Sequence, residues 1–240
     1  MILPLKSLED FYDKLVNHNN DRFRSFEHCF LFFNGLSSNL NNEDAERAML
    51  HLGFYLASWG MYRGSSFLLQ KDYMIYEPIV LKLLNSKYSI LKELDEVLVE
   101  DNLNELSMLA FSLHEDLQGL FEIERTSYYN FIKVDHPQQS ISSVLTTKVM
   151  MGTLGCIPAY DRYFKSGIKV FNQTNDANKL IQTFSKNSIM KIYKFLLENK
   201  SELLGIQKSI KKRTNVKYPF LKLIDSYFWL IGFEEDNNND

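Results

Sequence analysis

Apolar residues recur every three and four positions through most of this 240-residue chain, and only 10 glycines and 5 prolines interrupt them. That spacing gives one apolar stripe per helical turn, whereas a half-buried strand needs strict alternation. Leu103, Leu106, Leu109, Ala110, Leu113, Leu117, Leu120 and Phe121 form one such stripe, and Ile189, Ile192, Tyr193, Leu196 and Leu197 another. Alternating runs are scarce. The pattern predicts an all-α, multi-helix globular domain of about ten helices. They fall over 5–17, 22–33, 43–58, 61–70, 72–85, 87–99, 103–125, 141–153, 159–168, 174–198, 201–213 and 219–231. With 45% hydrophobic and 14% aromatic residues, the chain has ample material for a core.

Several classes are excluded on this reading. No apolar run reaches about 18 residues, so no membrane span is expected. The opening MILPLKSLEDFYDKL carries acids early and no small-residue cleavage pattern, unlike a secretory signal. Cys29 and Cys156 are the only cysteines, which fits a reducing, cytoplasmic compartment without a disulfide framework. His18, His28, His51, His114 and His136 make no metal-like pair, and no cofactor signature occurs. Neither metal nor cofactor is expected.

Charge is distributed unevenly. Residues 1–135 carry a net −9, residues 136–224 a net +11 and residues 225–240 a net −5, within a total of −3. The sign changes near Val134–Ser140, where DHPQQS separates two helical runs. This suggests an acidic helical lobe at 1–135, a basic helical lobe at 136–232 and a disordered acidic tail at 233–240. The basic half would face a polyanion or pair with the acidic half; the sequence leaves both open.

Thr146–Phe164, TTKVMMGTLGCIPAYDRYF, is the stretch richest in chemistry. A helix ending near Gly152, a turn through Gly155 and a helix opening at Pro158-Ala159 would make a degenerate helix–hairpin–helix within 141–168. Asp161, flanked by Tyr160 and Arg162, would stand in the new helix's first turn, where the dipole favours an anion. Exposed amides at Gly152 and Gly155 would grip phosphate. Lys148, one helix earlier, is a candidate nucleophile if it meets Asp161 in a closed pocket. In LASWGMYRGSSF, Trp59, Tyr62 and Arg63 could stack on a base or bind a phosphate, or Gly60 and Gly64 could serve a helix crossing. Lys208–Lys222 holds six cations and no acid. Lys208, Lys211, Lys212, Arg213 and Lys217 form a candidate phosphate-contact strip. Asp225, on an aromatic last helix, needs a partner if buried.

TKVMMGTLGCIPAYDRYF together with the later LIDSYFWLIG, in which Asp225, Trp229 and Gly232 are spaced Asp-x-x-x-Trp-x-x-Gly, resembles remote members of the helix-hairpin-helix DNA glycosylase superfamily over about 141–232. Thr153-Leu-Gly-Cys-Ile-Pro158 stands in place of that family's Leu-Pro-Gly-Val-Gly hairpin. LASWGMYRGSSF also resembles segments of uncharacterised all-helical bacterial proteins. The glycosylase resemblance implies DNA as partner and cleavage of the N-glycosidic bond of a damaged or modified base. Asp161 would stabilise the oxocarbenium ion or activate water, and Trp59 or Tyr160 would stack on the extruded base. The alternative is a non-catalytic helical interaction or regulatory module, such as a defence-associated partner protein.

Overall fold

The computed structural model describes all residues except 1–3, 19, 38–39, 65, 136–139 and 239–240. Its described residues form eleven α-helices and no strand, as the periodicity predicts. The helices are α1 (Ser7–Val16), α2 (Arg24–Gly35), α3 (Asn42–Ser58), α4 (Glu77–Leu83), α5 (Leu94–Val97), α6 (Leu103–Ile132), α7 (Ser143–Leu154), α8 (Arg162–Asn172), α9 (Lys186–Glu198), α10 (Lys200–Thr214) and α11 (Phe220–Asn238). None is long and apolar enough to cross a membrane.

Where helices were expected over 61–99, the chain instead forms 3-10 turns at Phe67–Gln70, Tyr73–Tyr76 and Ser86–Glu93, with short α4 after the second and short α5 after the third. Side chains that bond their own backbone cause this. Asp72 accepts the Met74 N–H at 2.9 Å and Asn85 the Lys87 N–H at 3.0 Å, which competes with continuous helix. The expected long helix from 174 starts only at Lys186. Asn172 bonds both the N–H and the carbonyl of Leu180, at 2.9 and 2.8 Å, and closes the intervening loop. At the other end α11 runs through Asn238, so residues 233–238 are helical rather than a disordered tail.

One hydrophobic cluster runs from Leu5 to Ile231 and draws on both charge halves of the chain. Helices α2 and α3 pack on α7, α6 packs on α7 and α9, and α1 packs on α10 and α11. Arg213 pairs with Asp13, and Lys217 with Glu96 at 2.5 Å. These two ion pairs join the acidic and basic halves over a shared core. The 136–139 part of the expected boundary lies outside the described residues.

Helix α7 is the central element: every residue from Leu145 to Leu154 is buried. Its threonines satisfy themselves on the preceding turn, Thr147 donating to the Ser143 carbonyl at 2.7 Å and Thr153 to that of Val149 at 2.8 Å. Facing it, His114 on α6 lies 2.7 Å from the Thr146 hydroxyl and packs between Phe111 and Phe184. Burial lowers its pKa from 6.5 to about 4. A folded value below the unfolded one means full stability above pH 6.5, lost as pH falls toward about 4. That interval corresponds to roughly 3 kcal/mol. Urea denaturation of wild type and His114→Asn at several pH values should show the wild-type advantage shrinking by that order below pH 6.5. A constant difference would place the ring in water.

Candidate functional site: a cationic, aromatic cavity

Helix α3 ends in a Gly-capped turn. The Gly60 N–H bonds the Ala57 carbonyl and the Met61 N–H the Leu56 carbonyl, at 3.0 and 2.9 Å, with Gly60 at φ 74°. The turn redirects the chain so that Arg63 folds back over Gly60. A Cβ on Gly60 would stand 3.3 Å from the Arg63 guanidinium carbon. Helix α7 brings Val144 and Lys148 to the same place, and the start of α8 brings Asp161, Arg162 and Tyr163. Arg22, just before α2, and Trp229 of α11 complete a cavity of about 490 Å3.

Four cations, Arg22, Arg63, Lys148 and Arg162, line this cavity; Lys148 stands beside Asp161 on the same wall, and Arg162 pairs with Asp236 of α11 at 2.8 Å. Trp59, Tyr163 and Trp229 supply an aromatic wall. Trp59 lies within cation–π range of Arg22 and Lys148, both at 5.8 Å, and of Lys222 at 5.2 Å. Its indole N–H is buried without an acceptor.

Asp161 is the N-cap of α8. One oxygen accepts the Phe164 N–H at 3.1 Å, and the other stands 3.5 Å from the Lys148 ammonium. Lys148 also donates to the Trp59 carbonyl at 2.9 Å. Burial pulls the Lys148 pKa down, while Asp161 and Asp225 oppose that pull. The segment leading to Asp161 is pinned from below. Asp225 of α11 accepts the Ala159 N–H at 2.9 Å and binds Lys222 at 2.8 Å. Burial raises the Asp225 pKa, with Lys222 opposing.

The cavity thus gathers Asp161, Lys148, Trp59, Arg63 and Arg162, residues singled out from sequence. Other expectations fail here for physical reasons. Tyr160 is fully buried, its ring against Phe164 and Phe184, and does not reach the cavity. Gly152 is closed by the Tyr55 ring and Gly155 by Pro219. The Gly155 N–H is spent on the Met150 and Met151 carbonyls, so neither glycine offers an amide to phosphate. Helix α8 opens at Arg162 and Pro158 lies in the buried stretch before it, so the hairpin is not of the expected form. Lys208, Lys211 and Lys217 border a separate hollow with Asp95 and Glu96, and Arg213 turns to Asp13. No residue of that strip, Lys212 included, lines the Asp161 cavity. Arg22 and Tyr163 were not visible as site residues in sequence. Trp229 was visible only as a letter of the late motif.

Burial pushes the Cys156 thiol up to about 12 and raises Cys29 as well, so neither is an activated nucleophile. Among the described residues no three His, Cys, Asp or Glu side chains are grouped to hold a metal. No protein-family model, no curated protein and no solved structure matches this chain.

Gly60→Ala should weaken anion binding in the cavity and cost roughly 1–2 kcal/mol, from a left-handed alanine that also displaces Arg63. Urea denaturation and phosphate titration would read the two effects. Unchanged phosphate affinity would remove Arg63's folded-back pose from the site.

Proposed function

We propose that the cavity binds a nucleotide unit, its ring along Trp59, Tyr163 and Trp229 and its phosphate among Arg22, Arg63 and Arg162. The carrying observation is the coincidence, within about 490 Å3, of an aromatic wall and a surplus of cations. Pockets for small ligands run to about 300–1,000 Å3. Planar rings favour aromatic and guanidinium surfaces, and phosphate favours the guanidinium fork.

The position of Asp161 supports a catalytic form of this reading, in which the nucleotide is turned out of DNA and its N-glycosidic bond is cleaved. A carboxylate at the cavity wall, beside Lys148, would stabilise the sugar cation as the base departs and before water adds to the sugar carbon. Lys148 contributes charge and position here. Its ammonium is engaged by Asp161 and the Trp59 carbonyl, which argues against a free amine nucleophile. One observation favours the non-catalytic module instead: both Asp161 oxygens already have protein partners.

Calorimetric titration with a nucleoside, inorganic phosphate and the matching mononucleotide tests the binding. The mononucleotide should bind best, and more weakly as salt rises. No heat from any of the three would end the proposal. DNA carrying a panel of altered bases then separates the two forms. Abasic sites formed by wild type and lost in Asp161→Asn support cleavage. Equal yields from both proteins remove Asp161 from the chemistry, and binding without any cleavage leaves the module.

A further inference from the structure

The Asp161 cavity is one of two adjoining hollows. A second, of about 430 Å3, shares Gly60, Met61, Arg63 and Val144 with it as walls. Its far side is mostly apolar, built from Phe67, Leu68, Ile141 and Leu145, and edged by Tyr129 and Arg125. Arg125 is buried and paired with Glu122 at 2.6 Å, so its charge is largely answered by protein. Arg63 is exposed and stands on the shared wall between the two hollows.

We infer that the two hollows form one two-compartment site for two nucleosides joined through phosphate, with Arg63 on the linking phosphate. This rests on the nucleotide reading of the first compartment. The division of chemistry carries it. The first hollow has Arg22 beside the shared Arg63 and an aromatic wall, which suits a base with its own phosphate, while its Lys148 and Arg162 are ion-paired with Asp161 and Asp236. The second hollow is large enough for another ring system, sets an apolar side of Phe67, Leu68, Ile141 and Leu145 beside Ser66, Ser140 and Ser142, and has its exposed cation only where the first hollow begins. A ligand of two independent anions would meet a poor second site, because burying phosphate against apolar side chains costs several kcal/mol. A ligand with its charge at the waist and a ring at each end fits both compartments. The turn that builds the wall serves the same end, since Gly60 has no side chain to obstruct Arg63.

Two sources share this chemistry, a step of single-stranded nucleic acid and a free dinucleotide joined 5′ to 5′ by diphosphate. Calorimetry on the full chain should use a mononucleotide, a 3′,5′-linked dinucleotide and a 5′,5′-diphosphate-linked dinucleotide. At least one dinucleotide should bind about tenfold or more tighter than the mononucleotide. Whichever binds tighter identifies the source. Ser140→Trp places a bulky ring at an exposed position bordering only the second hollow. It should bring the preferred dinucleotide down to mononucleotide affinity while mononucleotide binding, which also reports folding, stays as in wild type. Equal wild-type affinities for all three ligands would overturn the second compartment and leave the nucleotide reading standing. Tighter dinucleotide binding that Ser140→Trp leaves intact would also overturn it. Absence of any binding would instead sink the reading on which it rests.

Discussion

Gly167→Ala is expected to destabilise the protein by at least about 3 kcal/mol, the upper end of what overpacking costs. Helices α8 and α11 make the most extensive helix contact in the fold, and it is closed by two glycines facing opposite backbones. A Cβ on Gly167 would overlap the carbonyl oxygen of Phe228, and one on Gly232 that of Tyr163. A flexible side chain in the way could rotate; backbone cannot, so the helices must separate. Separation would open the Phe164–Phe228 and Phe171–Phe228 edge contacts, both near 5.5 Å, and move Tyr163 and Trp229 in the cavity wall. Gly232→Ala should cost a similar amount, a large share of a typical stability of about 5–15 kcal/mol. Gly205→Ala is the control, on α10 with open space where its Cβ would go. It should stabilise by about 0.4–1 kcal/mol, as an unstrained helical replacement does. Urea denaturation midpoints read all three. A Gly167→Ala midpoint as high as that of Gly205→Ala would show that the two helices do not approach this closely.

That crossing also gives physical content to the late motif. Asp225, Trp229 and Gly232 are spaced by four and three, so one face of α11 presents all three. From that face Asp225 holds the Ala159 amide, Trp229 enters the cavity wall and Gly232 admits α8. The motif was legible because it lies within one helix. The site was legible only in pieces. Asp161 reads as a first-turn acid of a helix opening at Pro158-Ala159, and the structure, which opens that helix at Arg162, makes it the N-cap. Lys148 falls in a helix that is buried on every side from Leu145 to Leu154, so periodicity could not say what it faces. Arg22 and Tyr163 carry no local cue. They reach the cavity through pairings of helices distant in sequence, α2 with α7 and α8 with α11, and a 3.6-residue period reports which face is buried, not which helix covers it. The run of lysines from Lys208 misled for a related reason. Clustering in sequence does not say that Asp13 and Glu96 will stand opposite.

Asp225→Asn should cost about 3–5 kcal/mol, because it strands a buried ammonium. Asp225 is 6% exposed and Lys222 is 7% exposed, so water cannot replace the lost partner. The amide would still accept the Ala159 N–H, which keeps the backbone contact and isolates the loss of charge. Lys222 would then lie against the rings of Phe26 and Trp59, 5.1 and 5.2 Å away, with no carboxylate beside it. Cation–π attraction of about 0.5–2 kcal/mol offsets only part of that deficit. Adding Lys222→Met removes the stranded charge and should recover at least about 2 kcal/mol, since an apolar replacement of a buried pair is often neutral or better. The coupling between the two substitutions is the quantity to measure, by urea denaturation of both single variants and the double. Ligand affinity should follow in the same order, because Ala159 lies two residues before Asp161 and any slack in Asp225 passes to the cavity wall. Additive single effects would mean that Lys222 and Asp225 are each solvated on their own. The Lys222 charge would then contribute nothing to holding Asp225 on the Ala159 amide, and the Arg162–Asp236 ion pair and the glycine crossing would be the stronger ties of this stretch to α11.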